Sequence, residues 1–181
     1  MIEMNIANKF TTLRVILIPF FVASLLVFKT DNYIPALIFI ISAITDFIDG
    51  QLARRKNLVT TFGKFMDPLA DKMLSCSALI VLVQLGKVPA WSVVIVVLRE
   101  LTISGFRILA ASNGVTLAAS YWGKSKTMTQ FIAIVLILIN TGDKLGFALD
   151  MYLYYISIVL TVISLCDYIY KNVNVLDLKN I

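Results

Sequence analysis

Apolar residues fall in six long runs along this chain, separated by short polar stretches. The runs cover about 11–28, 33–53, 66–85, 88–110, 121–140 and 147–170. Each approaches the roughly 20 apolar residues that a bilayer-spanning helix needs. The pattern predicts an all-α protein, a membrane bundle of six transmembrane helices. Residues 1–10 mix polar positions with Ile2, Met4, Ile6 and Phe10, which predicts a short N-terminal helix lying at the interface. No internal repeat and no separate soluble stretch is visible, so residues 1–181 are expected to form a single membrane domain. The first run lacks a small-residue cleavage site and is expected to be retained rather than removed as a signal peptide. Pro68 is tolerated within the first turn of a helix, so the third helix is expected to begin near Gly63–Phe65. The turn before it is then short, about Lys56 to Thr61.

Composition agrees with a bilayer. The chain is 59% hydrophobic and only 15% charged, with a mean hydropathy of +0.88, which excludes an ordinary soluble domain. The net charge of +5 does not point to nucleic acid, because the one basic run is Arg54-Arg55-Lys56. It reads instead through topology and anionic lipid. With the N-terminus in the cytoplasm, only Lys29, Lys87 and Lys144 fall in the opposite loops; Arg99 lies within a run, and every other Lys and Arg falls on the cytoplasmic side. Both termini are therefore expected in the cytoplasm, in a multi-pass protein of the cell membrane. The absence of histidine excludes His-based catalysis and His metal ligation. Cys76 and Cys166 lie in apolar runs and are expected to be small core residues rather than a disulfide.

The second and third runs meet in DFIDGQLARRKNLVTTFGKFMDPLAD, residues 46–71, which hold four of the eleven acidic residues. The pattern is D-x2-D-G-x2-A-R-x8-G-x3-D-x3-D. On a helix Asp46, Asp49, Gly50, Ala53 and Arg54 share one face, and Gly63, Asp67 and Asp71 share one face of the next. Two carboxylate pairs on facing helices can converge on divalent metal. Hard oxygen ligands suit Mg2+, Mn2+ or Ca2+ rather than zinc. Isolated ion pairs or carboxylates at helix ends are the plainer alternative. Against it, four carboxylates beside Arg54 would repel without a cation. Gly50, Ala53 and Gly63 would let a ligand approach the backbone.

This pattern resembles the motif of the CDP-alcohol phosphatidyltransferase family, and all eight fixed positions are filled. The resemblance implies a CDP-linked lipid donor, an alcohol acceptor and CMP as leaving group. It implies two ions of Mg2+ or Mn2+ on Asp46, Asp49, Asp67 and Asp71, with Asp71 also the general base toward the acceptor hydroxyl. It places Asn8, Thr11, Gly50, Ala53, Arg54 and Gly63 in the CDP-lipid pocket, Arg54 meeting phosphate, and it implies a homodimer.

Other polar residues look placed for the acceptor. Arg99-Glu100 sits inside an apolar run, and such a pair should face a watery cavity or partners. Glu100, Ser104 and Arg107 form one stripe. The fifth run opens WGKSKTMTQ, with Lys124, Lys126 and Thr127 beside Gly123 at a helix start, where phosphate is attracted. A structural Arg–Glu network and simple positive-inside anchoring are the respective alternatives. R-E-x6-R, G-K-x-K-T and N-x2-T-x2-R (Asn8, Thr11, Arg14) resemble the branch of the family that uses CDP-diacylglycerol and sn-glycerol 3-phosphate. Ala7 departs from that branch, which usually has proline there. By this resemblance Arg99, Arg107, Lys124, Lys126 and Thr127 are the acceptor-phosphate residues. Serine, inositol phosphate or phosphatidylglycerol remain alternative acceptors. An intramembrane prenyltransferase would carry two separate Asp-rich motifs, which are absent here. A cation transporter would place its carboxylates at the membrane midplane, not beside Arg54-Arg55-Lys56.

Overall fold

The computed structural model describes residues 6–55, 61–112, 117–118, 120–142, 146 and 148–173. Along 6–14, 46–55 and 61–68, and at Asp71 and Ser112, the description is of the backbone. The described residues form long helices and no strand: α1 (Ile6–Phe28), α2 (Ile34–Arg55), α3 (Thr61–Gln84), α4 (Ala90–Ser112), α5 (Tyr121–Leu138) and α6 (Leu149–Asn172). The all-α class expected from the apolar runs is the class found. By length and composition α6 is apolar enough to cross a membrane. Val15–Phe28, Ile34–Thr45 and Lys72–Gln84 are shorter apolar stretches within α1, α2 and α3.

The chain divides into two compact units. The first comprises residues 1–87 with 137–140, and within it α1, α2 and α3 pack against one another. Phe21 and Leu25 of α1 and Phe39 of α2 are fully enclosed, the two rings 5.5 Å apart. On α3, Ala70, Leu74, Ala78 and Leu82 recur every four residues as one buried stripe. α3 ends in a Schellman motif. Gly86 takes φ +70°, its N–H donates to the Val83 carbonyl, and the Lys87 N–H donates to that of Leu82. The Lys87 ammonium then donates to Asn140 Oδ1 at 3.0 Å.

The second unit comprises residues 88–136 with 141–181, and α4 packs on α6 within it. The buried face of α6 is Tyr154, Ser157, Ile158, Thr161, Ser164 and Tyr168. Hydroxyls on such a face must be satisfied internally. Ser157 donates to the Tyr154 carbonyl, Thr161 to that of Ser157, and Ser92 Oγ pairs with Tyr154 Oη at 2.6 Å. Burial is inverted relative to a water-soluble helix pair. Leu98, Leu101 and Ile108 of α4 are 57%, 65% and 68% exposed, whereas Arg99 and Glu100 are 7% and 9%.

Some boundaries differ from expectation. α1 begins by Ile6, so residues 6–10 continue into the first long helix rather than forming a separate interfacial one; residues 1–5 lie outside the described part. Asn8, Lys9 and Thr11 are polar but do not break a helix. α3 begins at Thr61, earlier than Gly63–Phe65, so Pro68 stands at its eighth position instead of in its first turn. Proline has no amide to give, so the Lys64 carbonyl lacks its intrahelical donor. Cys76 is half-buried and Cys166 exposed, so neither is the core residue expected; neither forms a disulfide, as expected.

Candidate functional site

Two sets of residues emerge, one in each unit. In the first unit Asp46, Asp49, Gly50, Ala53 and Arg54 lie on the last turns of α2. Gly63, Asp67 and Asp71 lie on the first turns of α3. Both segments are helical throughout, so the spacings of three, four and seven that place each set on one face apply to the backbone found. α2 and α3 pack in the same unit. Asn8 and Thr11 lie in the first turns of α1. The side chains of all ten lie outside the described residues. Among the side chains that are described, no group of three or more Asp, Glu or Cys could hold a metal ion.

The second unit contains a buried charge cluster. Arg99 Nη1 donates to Glu100 Oε1 at 2.7 Å, and Lys126 Nζ donates to the same oxygen at 2.8 Å. Arg99 Nη2 donates to Ser164 Oγ at 2.7 Å. The Ser104 hydroxyl, by contrast, donates to the Glu100 carbonyl oxygen. All three charged side chains are largely buried. Among the described residues two cations share one carboxylate. Arg99 Nε is buried with no partner.

The start of α5 fits around this cluster. Ser120 caps the helix by accepting the Gly123 N–H at 3.1 Å. A Cβ at Gly123 would stand 3.0 Å from Arg99 Nη2 and 3.3 Å from Ser120 Oγ. Glycine there lets the guanidinium lie close against the helix backbone.

The five acceptor-phosphate residues read from the sequence are thus placed differently. Arg99 and Lys126 come together on Glu100. Lys124 and Thr127 are exposed, and the Thr127 hydroxyl donates to the Gly123 carbonyl. Arg107 is half-buried; its Cζ lies 6.0 Å from the centre of the Tyr168 ring, and its Nε is buried without a partner. Sequence reasoning missed Ser164 and Tyr168. The recurrence of Ser157, Thr161 and Ser164 at helical spacing in an apolar segment was the available signal, since hydroxyls there mark a face turned away from lipid.

The model of the family described as CDP-alcohol phosphatidyltransferase matches residues 4–163. That match spans both helices of the aspartate motif and the buried cluster up to the middle of α6. The chain belongs to the CDP-alcohol phosphatidyltransferase family. Members of this family are typically membrane-bound and generally use divalent metal ions. A Bacillus subtilis CDP-diacylglycerol–glycerol-3-phosphate 3-phosphatidyltransferase is 38% identical, over 97% of this chain and 99% of its own. A Haemophilus influenzae protein of the same name is 38% identical over 92% of each chain. A probable phosphatidylglycerophosphate synthase of Mycobacterium tuberculosis is 38% identical, over 91% of this chain and 80% of its own.

Proposed function

We propose that this family member transfers the phosphatidyl group from CDP-diacylglycerol to sn-glycerol 3-phosphate, giving phosphatidylglycerophosphate and CMP. One observation carries the chemistry: all eight motif positions are filled, on helical stretches of two helices that pack together. The names of the relatives support the substrates. The buried cations Arg99 and Lys126 of the second unit, with Arg107, support a phosphorylated acceptor.

The donor set of Asp46, Asp49, Asp67 and Asp71 is purely carboxylate, and the helical backbone puts each pair on one face, which fits hard divalent cations. These four aspartates would hold two ions of Mg2+ or Mn2+, which would supply Lewis-acid chemistry to the pyrophosphate. Asp71 also takes the proton of the acceptor hydroxyl. The acceptor oxygen bonds to the lipid-side phosphorus, the bond from that phosphorus to the bridging oxygen breaks, and CMP leaves with that oxygen and its electron pair. Gly50, Ala53 and Gly63 admit the CDP group near the backbone; Arg54 meets phosphate; Asn8 and Thr11 complete the donor pocket. Arg99, Arg107, Lys124, Lys126 and Thr127 form the acceptor-phosphate region. Arg107 binds most directly, because Arg99 and Lys126 already share Glu100.

All six helices cross the membrane in this reading, within one domain of residues 1–181. Helices of 22–24 residues, as five of the six are, run about 33–36 Å, matching a hydrocarbon core of about 30 Å. The outward Leu98, Leu101 and Ile108 support lipid contact. Both termini and the site face the cytoplasm, and the protein works as a homodimer in the cell membrane. The test is incorporation of labelled sn-glycerol 3-phosphate into lipid by purified protein in detergent. Label entering the organic phase only with CDP-diacylglycerol and a divalent ion is expected. Label staying in water under those conditions overturns the reading.

A further inference from the structure

We infer that Tyr168 is a positioning residue for the acceptor: its ring carries Arg107, a half-buried cation that meets no carboxylate among the described residues. The inference rests on the acceptor reading above and extends it to a residue on α6.

Arg99 and Lys126 both bind Glu100, which absorbs part of their capacity for an incoming anion. Among the described residues Arg107 has no such partner. The acidic residue next to Tyr168, Asp167, accepts Lys171 Nζ at Oδ1 at 2.6 Å, and its Oδ2 is buried without a partner. What lies against Arg107 is the Tyr168 ring, 6.0 Å from Cζ. That contact is a cation–π pair. The ring itself adds no hydrogen-bonding competitor for the guanidinium.

Tyr168 is itself firmly held. It is 3% exposed, and Phe106 meets its ring edge-on at 6.2 Å and 86°. The Asn172 amide donates to its carbonyl. Yet its hydroxyl is buried with no partner. A buried unpaired hydroxyl is unfavourable and contributes nothing to holding the ring. In this inference the role belongs to the aromatic face, which meets Arg107, and the hydroxyl is dispensable. This sets Tyr168→Phe against Tyr168→Leu with opposite expectations.

The experiment measures KM for both substrates by CMP release, and binding of sn-glycerol 3-phosphate and of inorganic phosphate by calorimetry, on the full chain in detergent. Tyr168→Phe is expected to keep acceptor KM and affinity within about twofold and to keep or raise Tm. Tyr168→Leu is expected to weaken the acceptor about fivefold, with the KM for CDP-diacylglycerol unchanged. In an Arg107→Ala background Tyr168→Leu should add nothing. Where Tyr168→Leu does not fold, Tyr168→Met carries the same expectation, since it is bulky but not aromatic.

Equal losses in Tyr168→Phe and Tyr168→Leu would show that the hydroxyl acts, and would overturn the inference. So would equal rises in both KM values, or an effect additive with Arg107→Ala. Wild-type protein that bound neither anion would overturn it as well. Protein that bound phosphate in the expected Tyr168-dependent way, yet released no CMP with glycerol 3-phosphate, would sink the proposed reaction and leave the positioning role standing.

Discussion

In the first unit, charge is gathered by chain spacing. Asp46 and Asp49 stand three residues apart on α2, and Asp67 and Asp71 four apart on α3. In the second unit, charge is gathered through space. Glu100 binds its neighbour Arg99 and also Lys126, 26 residues away, while Arg99 reaches Ser164, 65 residues away. The first set is all carboxylate, the donor chemistry that suits hard divalent cations. The second joins both signs, two cations on one carboxylate among the described residues. In the proposed reaction the aspartates serve the phosphoryl group and the basic residues serve the acceptor's phosphate. Substitutions in the two units should therefore fail in different ways.

The largest effect is expected from Asp71→Asn, which removes the base while sparing three carboxylates. Turnover should fall about 10^3-fold with CDP-diacylglycerol binding largely kept. Parallel loss of both would make Asp71 chiefly a metal ligand. Glu100→Gln should act on the fold instead, removing the carboxylate that two buried cations share. A loss of about 3 kcal/mol is expected, read as a lower Tm in detergent; an unchanged Tm would mean that the cluster does not support the second unit. Arg107→Ala should raise the KM of the acceptor about tenfold and leave that of CDP-diacylglycerol alone. A rise confined to CDP-diacylglycerol would move Arg107 into the donor pocket and blur the division. Ser164→Ala should be smallest, about 1 kcal/mol in stability, because it removes one hydrogen bond to Arg99.

The same contrast explains what could be read from the chain alone. The aspartate motif and its helices were legible because helical geometry converts spacing directly into faces. The all-α class was legible because apolar runs mark long helices. Helix starts were less so: the expected start near Gly63–Phe65 rests on placing Pro68 in the first turn, and α3 begins at Thr61 with Pro68 inside it. The acceptor region was only half legible. Arg99 and Lys126 stood out as charges in apolar surroundings, and the structure joins them on Glu100. Nothing in spacing tells that Lys124 and Thr127 are exposed, that Ser164 holds Arg99, or that Tyr168 lies on Arg107. Those facts depend on how α4, α5 and α6 pack, and packing between segments far apart in sequence leaves little local trace.

The most direct test of the central claim is CMP release by the purified protein. CDP-diacylglycerol and Mg2+ or Mn2+ would be offered with sn-glycerol 3-phosphate, serine, inositol, inositol phosphate or phosphatidylglycerol in turn. The account predicts release with sn-glycerol 3-phosphate and not with serine or inositol. Release with an acceptor lacking phosphate would keep the aspartate chemistry and contradict the reading of the basic cluster. No release with any acceptor would contradict the account as a whole.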